Sequence, residues 1–150
     1  MSAIPVSQKA QTVSKTSGLE SFRIPVWVSV FVLVGGLLLA VGGVIGLVNP
    51  SMLVSPHDQI SGAVHIYAGY FAVRNLALGL FLPILLALRA RRALAGLMVV
   101  AGFIQLLDVG MDCIEGRWTI VPGVLVLGAL YLIAASRVSG APFWRREFWA

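Results

Sequence analysis

Polar and apolar residues alternate along this chain in long blocks rather than in short periods. Residues 1–24 are rich in Ser, Thr and Lys, and four apolar runs follow at about 25–48, 62–88, 93–112 and 119–136. A helix needs about 20 predominantly apolar residues to cross a bilayer, and each run is close to that length. The runs therefore predict four transmembrane helices in an all-α membrane bundle. The first run, about 24 residues long, exceeds the roughly 7–15 of a signal-peptide core, so it is expected to be an uncleaved span. The tail before it reads as mobile, with a transit segment as the alternative reading. Residues 137–150 form a basic, aromatic tail suited to the membrane interface.

Punctuation between the runs agrees. Asn49-Pro50-Ser51 ends the first, and Pro83 within the second predicts a kink near Gly79. Residues 49–61, 89–92 and 113–118 are left as loops. Gly42 and Gly46 make a GxxxG step in the first span, and Gly36, Ala40 and Gly43 lie on a small-residue face. Such a step packs helices within one molecule or joins it to a second copy or a membrane partner.

Composition turns this pattern into an exclusion. Apolar residues make up 59% of the 150 and charged residues 11%, against about 25% charged in a soluble domain. A chain this small cannot bury so much apolar surface by itself. Net charge is +5, yet the bases flank the apolar runs and form no nucleic-acid motif. Nine of the eleven Lys and Arg residues lie in the N-tail, the 89–92 loop and the C-tail. The positive-inside rule then places both termini in the cytoplasm. The expected location is the cell membrane of a bacterium or an internal membrane of a eukaryote. Cys113 has no second cysteine to pair with.

Charges inside spans need a reason, because hydrocarbon does not solvate them. Three qualify: Arg74 in the second span, and Asp108 and Asp112 in the third. Tyr67, Tyr70 and Arg74 share one helix face, as do Gln105, Asp108 and Asp112, and Asn75 borders the first stripe. Helical side chains lean toward their own N-terminus. On consecutive antiparallel helices, Arg74 and Asp108 therefore lean toward each other. An Arg74–Asp108 ion pair is expected, extended by Asp112, Tyr67, Tyr70, Asn75 and Gln105.

That set suits acid–base chemistry on a lipophilic small molecule, of isomerase, cyclase or hydrolase type. Arg74 would hold one carboxylate ionised while the other kept its proton. Tyr67, Tyr70, Asn75 and Gln105 would contact the substrate. Two alternatives stay open: a non-catalytic subunit whose ion pair fixes helix register, or a proton-coupled carrier. His57 lies beside Asp58, and His65 lies nearly opposite Arg74 on the helical wheel. With Asp112 and Glu115 they have no recognised ligand spacing, so no metal is expected, and no motif calls for a cofactor. Asp58, Glu115 and Arg117 read as solvated loop charges.

The stretch Tyr70-Phe71-Ala72-Val73-Arg74-Asn75-Leu76-Ala77-Leu78-Gly79-Leu80, the basic turn at Arg89–Arg92 and Asp108 together resemble a group of small four-helix membrane proteins of unknown function neighbouring the DoxX-like proteins. The resemblance covers roughly residues 25–136. It implies a compact four-helix membrane bundle with an Arg–Asn or Arg–Asp step in the second helix and an acidic residue in the third. It implies no activity.

Overall fold

The computed structural model describes residues 24–53 and 61–149, and every regular element in them is helical. Four long helices follow one another: α1 (Val26–Val48), α2 (Gly62–Ala87), α3 (Arg91–Ile114) and α4 (Val121–Ser139), with a short α5 (Arg146–Trp149). By length and composition all four long helices can cross a membrane. The N-terminal tail expected to be mobile, and His57 with Asp58, lie outside the described residues.

Local chemistry sets the ends of these helices. Asn49 precedes Pro50 and leaves the helical region at φ −140°, as residues before proline do. A 3₁₀ turn, Pro50–Leu53, follows it, and the Ser51 hydroxyl donates to Asn49 Oδ1. Arg89 adopts a positive φ of 54°, and the Ala90 N–H reaches back to the Leu85 carbonyl at 3.0 Å. This six-to-one bond closes α2 tightly. The arginine loop therefore shrinks, and α3 starts at Arg91 rather than at 93. Pro122 lies in the first turn of α4, and Gly140 ends it in the left-handed region at φ 82°. α2 runs on through Pro83.

The helices pack as two close hairpins, α1 with α2 and α3 with α4, which meet more sparsely between α2 and α3. Glycine permits the closest approaches. A Cβ built on Gly79 would lie 2.7 Å from the Gly36 carbonyl oxygen. One built on Gly102 would lie 3.1 Å from the Gly128 carbonyl oxygen. Backbone meets backbone at both crossings.

Large buried side chains crowd toward one end of the bundle. Val28, Val32, Leu82, Leu94, Met98, Tyr131 and Val138 are fully buried. They come from the first half of α1, the second half of α2, the first half of α3 and the second half of α4. That end carries Arg89, Arg91, Arg92 and Arg137, and is called the basic end below. Toward the far end, buried positions are small or polar: Gly43, Gly46, Ala68, Ala72, Asn75, Gln105, Asp112 and Gly128. The bundle is filled by bulky side chains at one end and mainly by small or polar ones at the other.

Two expectations are refined. The first-span glycine that meets α2 is Gly43, whose Cβ would lie 2.9 Å from the Ala72 carbonyl oxygen. Gly42 faces open space, while Gly46 is buried. The intramolecular contact thus runs along the small-residue face of Gly36, Ala40 and Gly43 rather than through Gly42. The C-terminal tail folds back on the bundle: Phe148 is buried in the common core.

Candidate functional site

Tyr67, Tyr70, Phe71 and Arg74 stand at positions i, i+3, i+4 and i+7 of α2, which stacks them on one face. Asp108 faces them from α3. The two helices run in opposite directions, so the N-terminal lean of each side chain closes the gap between them. Arg74 Nη1 donates to Asp108 Oδ1 at 3.1 Å and Nη2 donates to Oδ2 at 3.0 Å. The pair is bidentate, the fork geometry in which guanidinium binds carboxylate most strongly.

The pair is not sealed. The side chains are 35% and 31% exposed, and they border an open cleft of about 290 Å³ lined by Tyr67, Tyr70, Phe71, Arg74 and Asp108. Tyr67 and Tyr70 are largely exposed, so they flank the cleft rather than fill it. The Phe71 ring lies 5.5 Å from the guanidinium carbon. Its π face adds an attraction that holds the cation in place.

Donor arithmetic shows what the cleft presents. Guanidinium has five N–H groups. Two go to Asp108, and Nε is buried with no hydrogen-bond partner among the described residues. One N–H therefore remains on each terminal nitrogen. Both carboxylate oxygens keep lone-pair capacity as well. The ion pair forms part of the lining of the cleft, between the aromatic side chains of Tyr67, Tyr70 and Phe71.

Of the seven side chains expected at this site, the cleft gathers four: Tyr67, Tyr70, Arg74 and Asp108. Asp112 is a correction. Its Oδ1 lies 3.6 Å from Arg117 Nη1, which is also 3.6 Å from Glu115 Oε2. The cause is local: after Gly116 the chain turns back, and the Arg117 N–H donates to the Asp112 carbonyl at 2.8 Å. That turn sets the arginine over the last turn of α3. Arg117 and Glu115 are 45% and 51% exposed, so they stay solvated while lying within ion-pair distance of each other. Gln105 is also displaced from the expected set. It is buried, and its Cβ lies 3.2 Å from where a Gly128 Cβ would stand, at the α3–α4 contact. Asn75 is buried and does not line the cleft. Phe71 is an apolar member of the lining that the polar stripe does not report; its three-residue spacing from Arg74 is the signal for it. His65 is exposed and outside the lining. Among the described residues no group of three or more His, Cys, Asp or Glu side chains is placed to hold a metal ion.

Comparison with protein-family models, curated proteins and solved structures produced no match.

Proposed function

We propose that this is a multi-pass membrane protein, with both termini on the cytoplasmic side, whose Arg74–Asp108 cleft receives the oxygen-bearing head of a lipophilic small molecule from the bilayer. The observation that carries this reading is the open cleft against the ion pair. An arginine–carboxylate pair that only fixes helix register has no need of accessible volume or aromatic flanks. A volume of about 290 Å³ lies near the lower bound of small-molecule sites, about 300 Å³. It suits the head of an amphiphile whose tail stays in the lipid.

The chemistry within reach is narrower than the sequence suggested. A split acid–base pair needs two carboxylates, and Asp112 is engaged by Arg117. Asp108 is the one carboxylate in the lining. It supports a single proton transfer to or from a bound head group, with Arg74 placing the oxygen. Recognition with this one acid–base group is the function favoured. A second reading, a structural clamp in a membrane subunit, draws on the sparse contact between α2 and α3, which the ion pair bridges.

The test is photo-crosslinking of the full chain in lipid vesicles, using a long-chain carboxylate bearing a diazirine near its head. Adducts are expected on the 67–74 segment of α2, and the Arg74→Leu/Asp108→Leu double variant is expected to lose them. Uniform labelling of all four helices, unchanged in the double variant, would overturn the proposal.

A further inference from the structure

The basic end has a feature beyond the charge bias of its loops. Residues 141–149 turn back along α3 instead of leaving the bundle. Phe148 is 4% exposed within the core. The Phe143 ring meets Phe103 edge-on at 5.9 Å. The Trp149 ring lies 3.9 Å from where a Gly96 Cβ would stand, and its indole N–H donates to the Phe143 carbonyl at 2.9 Å. Arg91 Nη2 donates to the Val138 carbonyl at 3.3 Å, tying the start of α3 to the end of α4. The left-handed turn at Arg89 completes the assembly.

These contacts gather cations from three separate stretches of chain. Arg89 comes from the α2–α3 turn and Arg92 from the first turn of α3, Arg137 from the last turn of α4, and Arg145 and Arg146 from the folded-back tail. All five are exposed, and none forms an ion pair among the described residues. Glu147 is the only carboxylate side chain in the tail. Trp144 and Trp149 are 72% and 60% exposed beside them. Exposed indoles and unpaired arginines anchored by a buried phenylalanine belong at the depth where hydrocarbon gives way to phosphate.

We infer that this collar binds anionic phospholipid head groups, the phosphates lying between the α2–α3 turn and the folded-back tail. Charge complementarity selects the occupant. The cations lack acidic partners among the described residues, and at that depth lipid phosphate is the abundant anion. Juxtamembrane arginines favour anionic lipid by roughly fivefold each. The inference rests on the membrane-spanning reading of the helices and is independent of the Arg74–Asp108 cleft.

The test uses the full chain in nanodiscs of equimolar phosphatidylglycerol and phosphatidylcholine. It is extracted mildly, and the phospholipids retained per protein are measured. The expected result is about fivefold enrichment of phosphatidylglycerol over the bulk ratio, the preference of one arginine for one anionic head group. Changing Arg89, Arg92, Arg145 and Arg146 together to Gln is expected to abolish it. Arg145→Lys/Arg146→Lys keeps the charge and is expected to keep the enrichment. No enrichment in the unmodified protein, or full enrichment in the four-Gln variant, would overturn the inference. Should the four-Gln variant fail to insert, the unmodified protein decides: enrichment that persists undiminished at about 0.5 M salt, where exposed charges are screened, counts against it. A chain that does not enter nanodiscs refutes the membrane reading. One that enters without lipid preference refutes the collar alone.

Discussion

Removing one member of the Arg74–Asp108 pair is expected to cost more than removing both. The two hydrogen bonds, at 3.1 and 3.0 Å, are charge-assisted, and each is worth about 1.5 kcal/mol or more. The side chains are about one-third exposed. That places the pair between surface pairs, worth under about 1 kcal/mol, and fully buried ones, whose disruption costs about 3–5 kcal/mol. Asp108→Leu, which strands a guanidinium, is therefore expected to destabilise by about 3 kcal/mol. Arg74→Leu is expected to cost about half as much, because a lone carboxyl group can take up a proton and a guanidinium cannot release one. The double leucine variant removes both desolvation demands and is expected within about 1 kcal/mol of the parent. The measurement is reversible unfolding in bicelles, followed by helicity across a denaturing-detergent titration, for all four members of the cycle. The sum of the singles should exceed the double by at least about 2 kcal/mol. Additivity within about 0.5 kcal/mol would show that the two charges do not depend on each other, and the reasoning built on their geometry would fail.

Three further outcomes follow from contacts at glycine, tyrosine and aspartate. Gly43→Ala, whose Cβ would meet backbone at 2.9 Å, should lose about 1–3 kcal/mol, while Gly42→Ala, facing open space, should stay within about 0.5 kcal/mol; the same titration ranks them, and equal losses would contradict the α1–α2 register. Tyr131→Phe removes a buried hydroxyl with no partner among the described residues and should stabilise by about 1 kcal/mol. It should also rescue Gly35→Ala, whose added methyl would lie 2.6 Å from that oxygen; a rescue absent from the double variant would show that the hydroxyl is not what excludes the methyl. Asp112→Asn should change stability by less than about 1 kcal/mol, since Arg117 is 45% exposed, and should leave crosslinking at 67–74 intact; lost crosslinking would return Asp112 to the site.

The sequence carried the four helices because each apolar block is far longer than a soluble helix needs and is bounded by proline, glycine or arginine. The Arg74–Asp108 contact was legible for a different reason. Two antiparallel helices joined by a short turn leave little freedom in which residues oppose, and side-chain lean settles the rest. Asp112 and Gln105 share a helical stripe with Asp108 but not its neighbour, and Asn75 only borders the stripe of Arg74. A stripe covers a broad arc of the helix. In a four-helix bundle that arc is shared, so Gln105 meets α4 while Asp108 meets α2. The Asp112–Arg117 link depended on the turn at Gly116, a positive-φ position that no periodicity reports. The tail's return along α3 depended on Phe148 finding the core, a long-range contact that a short aromatic motif does not announce.

The uneven filling of the bundle has a mechanical consequence. Helices gripped by Leu82, Leu94, Met98 and Tyr131 at one end, with little but small residues between them at the other, behave like tongs held at the grip. Separation of the tips disturbs few bulky contacts, so its free-energy cost falls steadily with distance from the grip. Amide exchange should follow that gradient, slow around 94–101 and fast around 62–70. The tips can then part without loosening the handle.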